Sequence, residues 1–183
     1  MSKLAFRQAS ETDIPALIAL VTSAYRGEAS RQGWTTEADL LDGQRIDADM
    51  LQADLLQADP AQPDSMILIA ENDTGLIACA HITVEDGAGY IGMFSVSPEA
   101  QRGGIGNRVL AEAERIARDT FGCTRMRMTV IDAREELIAY YLRRDYVRTG
   151  VKKPFPYGDP RYGLPKRDDL QFEVLEKTLE TTS

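Results

Sequence analysis

The chain has 183 residues, of which 43% are hydrophobic and 27% are charged, and its formal net charge is −8 at pH 7. This length is typical of one domain, so we expect a single domain over residues 1–183. The acidic charge argues against a general nucleic-acid binder, because such a protein needs a basic surface to neutralise phosphates. No segment approaches the roughly 18 consecutive apolar residues of a membrane span, and no apolar signal region follows the first basic residues, so we expect a cytoplasmic protein with no membrane partner.

The N-terminal third of the chain predicts a strand, a helix and a less regular region. Residues 4–8 form a short, partly apolar run, and apolar residues recur at helical spacing over 14–25. Between residues 31 and 63 a helical pattern is visible at positions 46–53. We therefore expect one amphipathic helix within an otherwise irregular segment.

The middle of the chain predicts consecutive hairpins. Apolar runs over 66–70, 76–85 and 90–97 are separated by clusters of Asn, Asp and Gly. Runs of this length bounded by turn-forming residues are typical of antiparallel strands. Residues 104–121 then carry apolar side chains at helical spacing and end at Gly122, which suits a left-handed C-cap, so a long amphipathic helix is expected.

The C-terminal part predicts a strand, a helix and two further strands. The first strand covers 125–130, and Asp132 with Glu135 predicts the capped start of the helix. The final strands are expected over 147–153 and 170–177. A loop rich in proline, glycine and aromatic residues separates them.

The cysteines and the histidine do not form a recognisable metal motif. Cys79 and Cys123 lack the paired spacing of a zinc site, and His81 is the chain's one histidine. We expect two reduced, packed cysteines, a packed or solvated histidine and no metal site.

The segment 101–106, Gln-Arg-Gly-Gly-Ile-Gly, follows a predicted strand and opens the long helix. Glycine lets the backbone approach a phosphate closely, and the N–H groups and positive dipole of a helix N-terminus attract a diphosphate. A P-loop needs Lys followed by Ser or Thr after its last glycine, where Asn107 and Arg108 stand. A dinucleotide-binding fold needs a parallel βαβ unit, which the preceding hairpins argue against.

This part of the chain resembles the GNAT superfamily of N-acetyltransferases. Gln101, Gly104 and Gly106 match its acetyl-CoA signature, and residues 94–98, Phe-Ser-Val-Ser-Pro, resemble the family's fourth strand and its exit. The order of predicted elements agrees over roughly residues 4–177. The resemblance implies an α+β fold whose mixed, mainly antiparallel sheet has about seven strands and is flanked by helices.

The resemblance also implies where acetyl-CoA binds. The backbone of residues 94–96 would pair with pantetheine by strand addition, and the amides of 102–107 would cradle the pyrophosphate. The implied cofactor-binding residues are Phe94, Ser95, Val96, Gln101, Arg102, Gly103, Gly104, Ile105, Gly106 and Asn107.

Tyr141 lies in a second segment that resembles the family, at the end of the predicted C-terminal helix. The alignment implies that Tyr141 protonates the departing thiolate, a role that suits a phenol with a pKa of about 10. Packing against Leu137 and Ile138 is the alternative role for this side chain. Arg134 stands where many members of the family have an Asn that contacts coenzyme A, and it is left out of the predicted site.

The acceptor side is less clear from the sequence. Glu85 and Glu37 are candidates for the base that takes the amine proton, although in a chain with 29 acidic residues a solvated surface position is the more common role of such a side chain. The family places the acceptor pocket at about residues 25–56 and 154–167, where Trp34, Phe155, Tyr157 and Tyr162 could line a cleft, with Arg161, Lys166 and Arg167 nearby to meet an acid. The same aromatic residues could instead close the edge of the fold or form a homodimer contact.

These observations predict an acetyltransferase that moves an acetyl group from acetyl-CoA, its cosubstrate, directly to a primary amine of a small molecule or peptide. Neither cysteine stands in a motif typical of a nucleophile. Two alternatives are a non-catalytic acyl-CoA-binding sensor or regulatory module, and an O-acyltransferase.

Overall fold

The computed structural model describes residues 3–25, 41–42, 47–56, 64–158 and 164–180. This part of the chain contains nine strands and four α-helices. The strands are β1 (Ala5–Gln8), β2 (Leu41–Asp42), β3 (Ser65–Asn72), β4 (Gly75–Glu85), β5 (Ala88–Val96), β6 (Arg125–Ile131), β7 (Val147–Pro154), β8 (Leu164–Pro165) and β9 (Gln171–Thr178). The helices are α1 (Ile14–Tyr25), α2 (Ala48–Leu56), α3 (Ile105–Arg115) and α4 (Glu135–Leu142).

Seven of these strands form one mixed sheet in the order β1-β3-β4-β5-β6-β9-β7. β5 and β6 are parallel, and the other neighbouring strands are antiparallel. The predicted α+β fold with a mainly antiparallel sheet of about seven strands is confirmed. The short pair β2–β8 was not predicted, because two residues per strand give no periodic pattern and the pairing joins distant parts of the chain.

The two faces of the sheet carry different helices because side chains alternate along each strand. Ala78, Ala80 and Ile82 of β4 pack in one core with residues of α3 and α4, whereas Cys79, between them, packs in another with residues of α1 and α2. Both cysteines are buried and neither forms a disulfide in the described structure, as predicted. None of the described helices is long and apolar enough to cross a membrane.

The long helix predicted over 104–121 changes its form near its end. α3 is followed at residues 116–120 by a π-helical turn, in which the Phe121 amide donates to the Ile116 carbonyl at 3.1 Å. Gly122 then adopts the predicted left-handed conformation, with φ of 70°. The length of the amphipathic segment was therefore predicted correctly, and its last turn was not.

The predicted helix cap at Asp132 is wrong. Arg134 occupies the N-cap of α4 and makes no capping hydrogen bond with its side chain. The pairing of β6 with β9 runs to Ile131, and the Asp132 amide then donates to the Gln171 carbonyl at 2.8 Å. Because Asp132 still follows this strand pairing, its carboxylate is not positioned to cap the helix.

The feature that positions the candidate site is the divergence of β5 from β6. The two strands pair at Gly89 with Met126 and at Tyr90 with Arg127, and no further pair joins them in the described structure. On its other side β5 stays paired with β4 up to Val96, with an irregularity near Met93, whose φ is 52°. From Ile91 onward, the edge of β5 that faces β6 is therefore not covered by that strand.

Candidate functional site

A cavity of about 140 Å³ lies where β5 and β6 diverge, and we call it the glycine-loop cavity. Its lining includes eight of the residues that the sequence predicts for the site: Phe94, Ser95, Val96, Gln101, Gly104, Gly106, Asn107 and Tyr141. It also includes five residues outside that prediction: Ala24, Arg134, Leu137, Tyr140 and Arg144. The end of β5, the loop, the start of α3 and one side of α4 thus meet around one space.

The other three predicted residues do not contribute described side chains to this cavity. Gly103 is exposed, and Ile105 is partly buried against the core beneath α3. The side chain of Arg102 lies outside the described part of the structure.

Two glycines of the loop are required for different reasons. Gly104 is the N-cap of α3 and has φ of 73°, a left-handed conformation that side chains other than glycine adopt at a cost. At Gly106 the limit is space, because a Cβ atom there would lie 3.1 Å from the Tyr140 hydroxyl oxygen. The start of α3 is therefore both turned and closely covered.

Gln101 stabilises the loop from inside. Its side-chain amide Nε2 donates to the backbone carbonyl of Val96 at 3.1 Å. This hydrogen bond ties the loop to the last residue of β5. The first N–H groups of α3 lack partners within the helix by geometry, so the loop holds these donors next to the strand end.

Tyr141 is buried within an aromatic cluster beside the cavity. It is 4% exposed, and its ring centroid lies 6.4 Å from that of Phe94 and 5.8 Å from that of Tyr146. Tyr141 therefore both packs in the core and lines the cavity. The neighbouring Tyr146 donates its hydroxyl to Glu114 at 2.9 Å and is not among the residues that line the cavity.

A hydrogen-bonded group of three side chains covers the start of α3. The Tyr140 hydroxyl donates to the side-chain oxygen of Asn107 at 2.7 Å, and Arg144 Nε donates to the same oxygen at 2.6 Å. The Arg144 guanidinium carbon lies 3.5 Å from the centre of the Tyr140 ring, which is a close cation–π contact. Burial raises the pKa of Tyr140, with Arg144 acting in the opposite direction.

Sequence reasoning missed Arg144 as a residue of the site. The available signal was the spacing of Tyr140 and Arg144, which places them on the same face of a helix end. Arg134 was considered and left out, but it is 3% exposed and lines the cavity. Two arginines thus add positive charge to the side of the cavity formed by α4.

A second cavity, of about 290 Å³, lies around Tyr90, and we call it the Tyr90 cavity. Its lining is Glu85, Asp86, Tyr90, Arg127, Thr149, Val151, Lys153, Val174 and Glu176. Tyr90 alternates along β5 with Gly89, which faces Ala117 in the turn after α3, and with Ile91, which packs in the core with α3, so this cavity opens on the other face of the sheet. Glu85, one of the two candidate bases, lies here, and Glu37 lies outside the described residues.

The aromatic residues predicted near the acceptor have mixed positions. Phe155 is 5% exposed and packs in a small core with Ile131 and Leu170. Tyr157 is exposed, but its hydroxyl accepts from the Leu170 amide and donates to the Arg167 carbonyl, both at 2.9 Å. These contacts support the interpretation that the pair closes the edge of the fold. Trp34, Arg161 and Tyr162 lie outside the described residues.

His81 is a partly buried residue of the α1/α2 face. Its Nε2 lies 2.8 Å from the Ser65 hydroxyl, and its Nδ1 lies 3.6 Å from the Asp54 carboxylate on α2. Burial lowers the pKa of His81, while Asp54 and Glu85 act in the opposite direction. The ring is therefore predominantly neutral at neutral pH and links β4 to β3.

A sequence profile of the acetyltransferase (GNAT) family matches residues 31–146, which is more than half of the chain. No curated protein matches the sequence significantly.

Solved structures of acetyltransferases superpose on nearly the whole chain. An N-acetyltransferase from Staphylococcus aureus has a TM-score of 0.70 at 14% identity, with 98% of this chain and 100% of that chain covered. A ribosomal-protein-alanine N-acetyltransferase from Brucella melitensis has a TM-score of 0.68 at 19% identity, with coverage of 96% and 99%. The PaiA N-acetyltransferase from Thermoplasma acidophilum, solved in complex with coenzyme A, has a TM-score of 0.65 at 16% identity, with coverage of 96% and 99%. At these identities the similarity establishes the fold.

Proposed function

This chain belongs to the acetyltransferase (GNAT) family, and on that basis we propose that it transfers the acetyl group of acetyl-CoA to a primary amine of a small molecule or peptide. The observation that carries the proposal is the glycine-loop cavity. It brings the start of α3, the uncovered edge of β5 and Tyr141 together around one space.

The glycine loop suits the pyrophosphate of acetyl-CoA. The left-handed Gly104 turns the chain into α3, and Gly104, Gly106 and Asn107, at the start of that helix, line the cavity. The amides of a helix N-terminus favour a bound diphosphate. Arg134 and Arg144 add positive charge from α4, which suits the same anionic ligand.

The edge of β5 suits the pantetheine arm. Beyond Tyr90 the place that a neighbouring strand would occupy is open toward the cavity. An extended ligand with amide groups can bind there as an added strand, and its amides then hydrogen-bond with the backbone. Phe94, Ser95 and Val96 lie along this part of β5 and line the cavity.

The reaction needs one bond to form, one to break and two proton transfers. The neutral amine attacks the thioester carbonyl and forms the C–N bond, and a backbone N–H of β5 stabilises the resulting oxyanion. The C–S bond breaks as the carbonyl re-forms. The amine proton passes to a carboxylate on the acceptor side, for which Glu85 is the described candidate. Tyr141 donates its hydroxyl proton to the thiolate and regains a proton from solvent, while the carboxylate releases its proton to solvent, so that the products are the amide and coenzyme A.

The direct test is to follow the release of free thiol from acetyl-CoA in the presence of amino acids, polyamines, aminoglycosides and peptides, and to weigh the products by mass spectrometry. Turnover with an amine and an acetylated amine product are expected. Binding of acetyl-CoA without turnover for any acceptor would instead support a non-catalytic sensor. Turnover confined to alcohols would support O-transfer.

The role of Tyr141 has a matched control in the same aromatic cluster. Tyr141→Phe should lower kcat by about 100-fold, at the low end of general acid catalysis, with little change in the Kd of acetyl-CoA. Tyr146→Phe removes a hydroxyl that donates to Glu114 outside the cavity, so its kcat should stay near the wild-type value. An unchanged kcat for Tyr141→Phe would exclude the acid role.

A further inference from the structure

The Tyr90 cavity begins where the pairing of β5 and β6 ends. Tyr90 is the last residue of β5 that pairs with β6. Phe94, in the glycine-loop cavity, lies four residues further along β5, which is roughly 13 Å at about 3.3 Å per residue. The two cavities therefore lie at successive positions along the same divergence. The Tyr90 cavity lies on the face away from α3, whereas the lining of the glycine-loop cavity includes Ala24 of α1 as well as residues of α3 and α4.

This arrangement gives the acceptor its own approach. If acetyl-CoA extends along β5 from the glycine loop, as the proposed function requires, its acetyl end points toward the start of the divergence. The α3 face of the sheet is filled there by the core residues Ile91 and Met128. The Tyr90 cavity, on the other face, is the space through which an amine can reach the same point.

The charged lining of this cavity is divided between two sides. Arg127 forms an ion pair with Glu176, another residue of the lining, since its Nε donates to the Glu176 carboxylate at 2.6 Å. Glu85 and Asp86, at the tip of the hairpin between β4 and β5, add negative charge on one side. Lys153 adds positive charge from β7, with its Nζ 5.9 Å from the centre of the Tyr90 ring.

We propose that the Tyr90 cavity binds an acceptor that carries both an amine and a carboxylate, so that the acceptor is an amino acid. The ammonium group of the incoming acceptor faces Glu85 and Asp86, and its carboxylate faces Lys153. Val151 and Val174 supply apolar surface for the hydrocarbon part of the molecule. This inference rests on the proposed function and names the class of its acceptor.

The volume of the cavity agrees with a small acceptor. About 290 Å³ is just below the range of roughly 300–1,000 Å³ that is typical of small-molecule sites. An aminoglycoside would exceed it, and a polyamine would bring no anionic group to Lys153. An amino acid can place its amine near the acidic side chains of the lining and its carboxylate near Lys153.

The test compares acceptors that differ only in the carboxylate. The common amino acids are screened by thiol release from acetyl-CoA, and the best of them is then compared with its carboxamide and with its decarboxylated amine. We expect kcat/KM to fall at least tenfold when the carboxylate is removed. Equal values for the three molecules, or a preference for the decarboxylated amine, would overturn the inference while leaving acetyl transfer to amines intact.

Two lysine variants then locate the carboxylate. Lys153→Gln should lower kcat/KM for the amino acid about tenfold and leave that for its carboxamide unchanged, so that the discrimination disappears. Lys152→Gln is the matched control, because the neighbouring Lys152 lies 3.5 Å from Asp132 and does not line the cavity, and it should keep the discrimination. Equal losses with both molecules in Lys153→Gln would show that Lys153 does not bind the carboxylate.

Failure of the inference is distinct from failure of the proposed function. If no acceptor of any class gives thiol release while calorimetry shows acetyl-CoA binding, the proposed function is wrong and the inference falls with it. If amines without a carboxylate are acetylated as well as amino acids are, the inference alone is wrong.

Discussion

The contact between Gly106 and Tyr140 allows a quantitative test of how the glycine loop is covered. A Cβ atom at Gly106 would lie 3.1 Å from the Tyr140 hydroxyl oxygen, whereas its next neighbours, Phe94 and Val96, would be at 3.7 Å, an ordinary contact distance. Gly106→Ala must therefore displace this hydroxyl. A shift of a few tenths of an ångström relieves the contact, and it strains the 2.7 Å hydrogen bond from Tyr140 to Asn107.

Two effects of similar size oppose each other in Gly106→Ala. Replacing glycine by alanine within a helix raises the free energy of unfolding by up to about 1 kcal/mol. Strain in the close contact and in the Tyr140–Asn107 hydrogen bond lowers it by up to about 1 kcal/mol, the contribution of a typical hydrogen bond. In the wild-type background the net change should be close to zero. In a Tyr140→Phe background the hydroxyl is already absent, so the same substitution should raise the free energy of unfolding by about 1 kcal/mol.

The assay is urea unfolding of the four proteins of this double-mutant cycle, with the m-value checked for constancy across the set. Gly104→Ala is the matched control, because its Cβ would meet no atom within 4 Å and its cost comes from the left-handed backbone. It should lower the free energy of unfolding by about 1–2 kcal/mol in both backgrounds. If Gly106→Ala and Tyr140→Phe add within about 0.5 kcal/mol, the hydroxyl does not cover Gly106 and the reasoning is refuted.

Two further predictions concern the charge at the loop and the buried histidine. Arg144→Gln should weaken acetyl-CoA binding about tenfold in calorimetry, as expected for loss of about 1.4 kcal/mol from a charged contact. Arg143 does not line the glycine-loop cavity, so Arg143→Gln should bind acetyl-CoA with the wild-type affinity. Because burial lowers the pKa of His81 in the folded protein, the unfolded chain takes up its proton first as the pH falls below about 6.5, and stability is lost in that range. His81→Gln should therefore show a smaller fall in Tm between pH 7.5 and 5.5 than the wild type, and an equal fall would contradict this account.

The strands around the candidate site were predictable because their turns are encoded locally. The hairpin between β4 and β5 was expected near residues 86–89, and the structure places Asp86 and Gly87 there with φ of 50° and 76°. Residues that tolerate this conformation mark the turn, and the apolar runs on either side fix the strands. The observed bounds of β4 differ from the predicted 76–85 by one residue.

The divergence of β5 and β6 could not be predicted in this way. It depends on a parallel pairing that stops after Tyr90 and Arg127, which are 37 positions apart in the chain. Neither β5 nor β6 has a sequence feature that marks this last pair. The position of Arg144 over Tyr140 has the same origin. Helical spacing brings the two side chains to one face, but only the packing of α4 beside α3 brings Asn107 to them.

The acetyl-CoA side of the site could be predicted from the sequence because it is formed mainly by backbone groups, whose conformation depends on local sequence. A left-handed glycine, a helix start and a strand edge occupy 14 consecutive residues, 94–107, and each has its own local signature. The lining of the Tyr90 cavity comes instead from side chains spread between Glu85 and Glu176 on five strands and one hairpin turn. Any of these charges, read alone, is indistinguishable from a solvated surface group in a chain of net charge −8. The ion pair between Arg127 and Glu176 neutralises two of the lining charges. Lys153 and Glu85 are therefore charges that an acceptor can meet.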